Sequence, residues 1–306
     1  VKKLVLLFAA AGVFCTGAWA QRNPWGWPPP ADRLTMPIWP GAAPGEPANM
    51  PPEHNVPSAS RVAGRPYVRL TDVSKPTITV YKAEGRNTGV GILVFPGGGY
   101  KVVSMDLEGT EVCQWLTSIG VNCVLLKYRV PDLGPYPKSA AALQDAQRAM
   151  GLVREHASEW GIDPNRLGVM GFSAGAHLAA AISTHYEKRL YTPIDAADKL
   201  SCRPDFAVVD YPGYLRADHD LTPNPDIQPT KNTPPTFLLQ AENDPVHVEN
   251  AIVYFLLLKK AGVPAELHVY AKGGHGYGLR KTGMPISHWP SLVETWLHTI
   301  HMLPGK

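Results

Sequence analysis

The feature that most restricts this chain is a series of short, largely apolar segments, each set apart by a stretch with helical spacing. Gly91–Phe95, Asn122–Lys127, Leu167–Met170, Phe206–Asp210, Thr236–Gln240 and Glu266–Tyr270 have the length and apolar density of strands buried on both faces. Glu108–Ile119, Ser139–Glu159, Ala174–Tyr186 and Val248–Ala261 read as the intervening helices, with a last helix near Ser291–His301. Gly120 and Gly262 stand where two of them should stop, and Asp163-Pro164-Asn165 is a turn signal before a strand. The alternation predicts an α/β fold with a mostly parallel central sheet and helices on both faces. In such sheets the chemistry gathers in loops beyond the carboxyl ends of the strands. Tyr67–Leu70 and Thr77–Tyr81 alternate and are rich in β-branched residues, which predicts an antiparallel opening pair.

The N-terminal part of the chain differs in composition from the rest. Residues 1–20 carry Lys2-Lys3, an apolar run from Leu4 to Phe14 and the small-x-small sequence Ala18-Trp19-Ala20. They read as a signal peptide cleaved after Ala20, which implies a secreted or periplasmic protein. Residues 21–66 form a Pro-rich arm in which regular helix is disfavoured. Trp25, Trp27 and Trp39 are large rings for a free linker, so the arm is expected to lie partly against the body and be anchored by them. Residues 67–306 are the expected catalytic domain, with 211–235, rich in Pro, Asp and Asn, as an insertion over the sheet's carboxyl edge.

The formal charge is +3, of which Lys2 and Lys3 supply two, so the rest of the chain is almost neutral. That balance gives no reason to expect nucleic acid or an anionic membrane as a partner. Of the 4 cysteines, Cys113, Cys123 and Cys202 lie beyond the leader. One disulfide plus a thiol is open to them, and spacing does not choose a pair; three core thiols are the expectation.

The strongest local signal is Gly171-Phe172-Ser173-Ala174-Gly175, set between an apolar strand and a helix of small residues. This is the context of a nucleophile elbow, in which a strained turn lifts a serine hydroxyl above the sheet at a helix N-terminus. A serine needs a base at neutral pH. Among 11 histidines, His275 lies in the glycine loop Gly273–Gly278 just after the last strand. His177 should pack beneath the elbow, and His185, His298 and His301 fall on helices. The acid that orients the base should come from a strand's carboxyl end between the two, which offers Asp210, Glu242 and Asp244. Asp244 heads the turn into the next helix and is the expected partner, with Asp210 its chief rival. Pro96-Gly97-Gly98-Gly99-Tyr100 follows a strand where an oxyanion loop belongs, so the N–H groups of Gly98, Gly99 and Ala174 are the candidate oxyanion donors. No metal is expected, since there is no HExxH, and Asp218-His219-Asp220 reads as a solvent-facing loop. No cofactor is needed for this chemistry.

With those residues in hand, the chain resembles the α/β-hydrolase superfamily, and within it the acetyl-xylan-esterase-like and feruloyl-esterase-like carbohydrate esterases. Ile38-Trp39-Pro40-Gly41-Ala42-Ala43-Pro44-Gly45 looks like their opening segment. Pro96–Tyr100 is similar to their oxyanion loop, with Pro where hormone-sensitive-lipase relatives have His. Lys127-Tyr128-Arg129, Trp160-Gly161-Ile162-Asp163-Pro164, the Ser173 elbow and Gly274-His275-Gly276 fit as well. In Ala241-Glu242-Asn243-Asp244-Pro245-Val246, Asn243 stands where relatives often have a second Asp. The resemblance implies a serine carboxylesterase that removes acetyl, or less commonly feruloyl, groups from plant polysaccharide such as xylan. The expected partner is an acylated oligo- or polysaccharide or another small ester. A prolyl-oligopeptidase-like peptidase shares fold and triad, but no blade repeat is visible. A lipase would want an apolar lid, which 211–235 does not offer. An inactive hydrolase that binds sugar or protein through Trp25, Trp27 and the insertion is the non-enzymatic alternative; the full set of candidate groups argues against it.

Overall fold

The computed structural model describes residues 25–47, 49–132, 139–217 and 221–305. The leader-like residues 1–20 and Asp218-His219-Asp220 lie outside them. In chain order the strands are β1 (Thr35–Pro37), β2 (His54–Asn55), β3 (Arg69–Thr71), β4 (Thr77–Tyr81), β5 (Gly91–Phe95), β6 (Val103–Ser104), β7 (Asn122–Lys127), β8 (Leu167–Phe172), β9 (Ala207–Asp210), β10 (Thr236–Ala241) and β11 (Ala265–Tyr270). The helices are α1 (Glu111–Ser118), α2 (Ala140–Glu155), α3 (Ala157–Trp160), α4 (Ala174–Thr184), α5 (Glu249–Lys260) and α6 (Trp289–Thr299). Eight strands form one sheet in the order β1-β4-β7-β5-β8-β9-β10-β11. The pairs β1–β4 and β4–β7 are antiparallel, and every pair from β7 to β11 is parallel.

Burial explains that order. Every residue of β5, β7, β8, β9 and β10 is buried, as the interior of a parallel sheet flanked by helices requires. In β11, Glu266 and His268 alternate with apolar residues and the strand is only half-buried, which suits an edge. Helix α4 packs on β8 and β9, and α5 on β10 and β11, each fixed by the strand–helix connection before it. Gly262 (φ +74) ends α5 in a Schellman turn, with its N–H on the Lys259 carbonyl and that of Val263 on Leu258.

Close approach also requires glycine inside β8. A Cβ on Gly168 would fall 2.2 Å from the ring of Phe206, itself fully buried. Gly168→Ala is therefore expected to destabilise the fold by about 1–3 kcal/mol. A lower urea midpoint at unchanged slope is the expected reading, and an unchanged midpoint would mean the Phe206 ring has room to retreat.

Three expectations need correction. The expected opening pair does not pair with itself: β4 joins the main sheet, while β3 lies in a separate three-stranded sheet with β2 and β6. The chain turns away at Asp72 (φ +55), and Val73 bridges to Val130. Second, the predicted helix at Glu108 begins as a π-helical turn over Asp106–Thr110 before α1 takes over. Third, Cys113 of α1 and Cys123 of β7 form a disulfide across a Cα separation of 5.2 Å, and among the described residues Cys202 is left as a buried thiol. The packing of α1 on β7 brings the two together, a proximity that their spacing does not reveal.

The Pro-rich stretch is held to the body by side chains far along the sequence. Trp39 is buried and its Nε1–H donates to Asp145 at 2.8 Å; Asp145 also accepts from the backbone and guanidinium of Arg129. Arg148 donates to the Ile38 carbonyl and pairs with Asp195 and Asp198. Trp25 stacks on Tyr81, and Trp27 packs against the same core. Within the stretch, β1 adds an antiparallel strand to the main sheet. Among the described residues no helix is long and apolar enough to cross a membrane.

Candidate active site

The serine turn follows directly from its neighbours' lack of side chains. Ser173 sits between β8 and α4 with φ +54, a conformation that costs of order 1–3 kcal/mol for a residue with a Cβ. A Cβ on Gly171 would lie 1.9 Å from the Gly175 carbonyl oxygen, and one on Gly175 would lie 2.0 Å from that of Phe95. Both glycines are therefore dictated by backbone packing, and the strain is held by those contacts. The Ser173 N–H donates to the Asp210 carbonyl at 3.1 Å, tying the turn to β9.

Ser173 Oγ lies 2.8 Å from His275 Nε2, and His275 Nδ1 lies 2.9 Å from Asp244 Oδ2. An ionised carboxylate only accepts, so Nδ1–H donates to Asp244 and Nε2 is left to accept the Ser173 hydroxyl. Asp244 itself is fixed by the Val246 N–H on Oδ1 at 2.7 Å and by the Gln240 amide on Oδ2 at 3.0 Å. The structure thus brings the predicted Ser173, His275 and Asp244 into one hydrogen-bonded chain. The rival Asp210 is buried and bonded to the Tyr277 hydroxyl at 3.0 Å, with no bond to His275. Burial pushes its carboxyl well above the usual carboxylate range.

Gly98 (φ +138) and Gly99 (φ +65) have the backbone freedom that the expected oxyanion loop needs, and a Cβ on Gly98 would meet the Val102 carbonyl oxygen at 2.1 Å. Gly99 and Ser173 line one cleft of 370 Å³ together with Tyr214, Arg216, Val246 and His247. Tyr214 and Arg216 belong to the stretch after β9, so that segment forms one wall of the cleft. A larger groove of 920 Å³ lies between Trp25 and Trp115, but it contains none of the Ser–His–Asp chain, and size alone does not locate the chemistry. His177 is buried beneath the elbow with Nδ1 2.7 Å from the Tyr100 hydroxyl. Among the described residues no cluster of His, Cys, Asp and Glu could hold a metal ion.

Sequence reasoning missed three groups. Asn243 Oδ1 accepts the N–H groups of Gly273 and Gly274 at 2.9 and 3.0 Å and so clamps the loop that carries His275. Tyr211 (φ +36) lays its ring edge-on to His275, with centroids 5.1 Å apart. Glu108 is buried beside both, and burial raises its carboxyl pKa while the Tyr211 and Gly97 hydrogen bonds oppose that shift. Asn243 was visible as a departure from the Asp of relatives. Glu108 and Tyr211 carry no such mark, since Glu108 stands among Asp106, Thr110 and Glu111 and Tyr211 follows Asp210.

A parallel sheet with a strained serine at the β8–α4 turn, an acid after β10 and a histidine after β11 defines an α/β hydrolase. A family profile described as the alpha/beta hydrolase fold matches residues 92–226. The acetylxylan esterase of Xylanibacter ruminicola is 31% identical over 226 residues, covering 69% of this chain and 45% of that protein. Endo-1,4-beta-xylanase B of Butyrivibrio fibrisolvens is 32% identical over 204 residues, covering 60% of this chain and 32% of that one. The chain thus spans less than half the length of these two relatives. The crystal structure of an acetyl ester-xyloside bifunctional hydrolase from Caldicellulosiruptor lactoaceticus is 33% identical, with a TM-score of 0.70 over 89% of this chain and 97% of that one. The chain belongs to the α/β-hydrolase family, and among the proteins it is similar to are an acetylxylan esterase and an acetyl ester-xyloside hydrolase.

Proposed function

We propose that the protein is an exported serine carboxylesterase that removes acetyl groups from xylan or its oligosaccharides. The observation that carries this reading is the Ser173–His275–Asp244 chain with its serine opening into a cleft shared with Gly99. His275 Nε2 takes the Ser173 proton as Oγ attacks the ester carbonyl, and Asp244 stabilises the imidazolium that forms. The N–H groups of Gly98, Gly99 and Ala174 receive the oxyanion, and the helix start at Ala174 favours negative charge there. The imidazolium of His275 then gives that proton to the departing sugar oxygen, which leaves as a hydroxyl. Water, deprotonated by the same imidazole, cleaves the acyl-enzyme and releases acetate.

The acetyl and xylan assignments draw support from the relatives named acetylxylan esterase and acetyl ester-xyloside hydrolase. Export draws support from the leader-like pattern of residues 1–20 and from the Cys113–Cys123 disulfide, a bond that persists in oxidising compartments. Incubating the purified protein with acetylated xylan should release acetate at a rate proportional to enzyme, and a Ser173→Ala preparation should release none. Serine-dependent hydrolysis of p-nitrophenyl acetate without acetate from xylan would keep the mechanism and remove the polysaccharide from it.

A further inference from the structure

A buried acid joins the two loops that flank the Ser–His–Asp chain. We propose that Glu108 is a positioning residue, holding the glycine loop and the histidine loop in the mutual geometry that a tetrahedral intermediate requires. The inference rests on the serine-hydrolase reading of the site and not on the identity of the sugar.

Glu108 lies in the π-helical turn Asp106–Thr110 and is 3% exposed. Its Oε2 accepts the Gly97 N–H at 2.8 Å, and its Oε1 accepts the Tyr211 hydroxyl at 2.7 Å. The same Tyr211 oxygen accepts the N–H of Gly278, three residues beyond His275, at 3.2 Å. The Tyr211 ring meets that of His275 edge-on. One carboxyl group therefore fixes the residue that precedes Gly98 and, through one tyrosine, the segment that carries the base.

The seat of Gly97 leaves little slack. A Cβ there would lie 2.6 Å from the Phe172 carbonyl oxygen, 2.8 Å from Glu108 Oε2 and 2.9 Å from Ser173 Cβ. Gly97 is thus wedged between the acid and the nucleophile's own turn, and any shift of it is passed to the N–H of Gly98. Burying a carboxyl group is unfavourable, so a side chain needed only to fill this space would serve better as an apolar one. What the carboxylate adds is two acceptors in a rigid fork, aimed at two different loops. Misplacing a reacting geometry by about 1 Å costs on the order of 100-fold in rate, so such a brace has a large effect without touching substrate.

The test uses the full chain with Glu108→Ala, Glu108→Gln and Tyr211→Phe. Its readouts are kcat and KM on p-nitrophenyl acetate, the Ki of a methyl trifluoromethyl ketone that mimics the tetrahedral adduct, and the rate at which a fluorophosphonate labels Ser173. Glu108→Ala is expected to lower kcat about 100-fold with KM within about threefold, and to weaken the ketone by a similar factor. Glu108→Gln keeps an acceptor for Gly97 and a polar partner for Tyr211, and should recover kcat to within about tenfold of the parent. A folded Glu108→Ala protein with kcat and Ki within about threefold of the parent overturns the proposal. If that variant does not fold, Glu108→Gln and Tyr211→Phe decide. Each is then expected to lower kcat and ketone affinity together, by roughly three- to tenfold, and parental values in both overturn the idea. Labelling of Ser173 involves no carboxylic ester, so a parent that ignored xylan would still give a clear result.

Discussion

Replacing Ser173 with Ala is expected to lower kcat for p-nitrophenyl acetate by about 10⁵- to 10⁶-fold, with KM little changed. The size follows from what Oγ does. It is the atom that bonds to the acyl carbon, and His275 Nε2 is placed to take its proton. Ala shares every backbone feature of the turn, and the packing of Gly171 and Gly175 that holds φ +54 does not involve Oγ. The variant should therefore fold like the parent and leave any residual rate to the oxyanion donors acting on water. Steady-state kinetics, with fluorophosphonate labelling as a second readout, check this. A loss of less than about tenfold would mean that a different group attacks the ester, and the mechanism would have to be rebuilt around it.

The chain's own sequence made some parts of this arrangement legible and hid others, for identifiable reasons. The elbow could be read because its cause is local. Gly171, Ser173 and Gly175 lie within one turn, and their strand and helix are contiguous with them. His275 and Asp244 were within reach because chain order in this topology places an acid and then a base after successive strands. Asp210 rivalled Asp244 because both lie at the carboxyl ends of strands, Asp210 closing β9 and Asp244 in the turn after β10; the bonds that separate them, His275 to Asp244 and Tyr277 to Asp210, come from residues distant in sequence.

What stayed hidden depends on contacts between distant segments. Glu108 meets Tyr211 across 103 positions, and Asn243 meets the histidine loop across about 30. Nothing in a helical or strand period marks such a partner. The disulfide belongs to the same category, since it records that α1 lies on β7. Pairing of the early strands failed for a different reason. Alternation reports that a segment is extended and half-buried, but not which neighbour it bonds. The short strand β1, with Pro37 in it, carries too little pattern to be seen at all.

Asp244→Asn is expected to lower kcat by about 10⁴-fold, because the hydrogen-bond network should force His275 into the wrong tautomer. The direction can be worked out atom by atom. Oδ1 accepts a backbone N–H from Val246, a donor that cannot turn away. An Asn side chain must therefore keep its carbonyl oxygen there and present its NH₂ at the place of Oδ2. That position faces His275 Nδ1 and the Gln240 amide, and Gln240 is a side chain that can rotate. The NH₂ would donate to Nδ1, the ring proton would move to Nε2, and Nε2 could no longer accept the Ser173 proton. Asp210→Asn provides the contrast. Its Oδ1 accepts from Tyr277, its other oxygen has no hydrogen-bond partner among the described residues, and burial already favours the neutral form. Asp210 makes no bond to His275, and an amide keeps a carbonyl oxygen for the Tyr277 hydroxyl, so kcat should stay within about tenfold of the parent. Measuring both variants side by side on p-nitrophenyl acetate separates the two acids. The reverse pattern, a crippled Asp210→Asn and a nearly normal Asp244→Asn, would transfer the orienting role to Asp210, because only the acid that fixes the tautomer makes its own amide lethal to proton transfer.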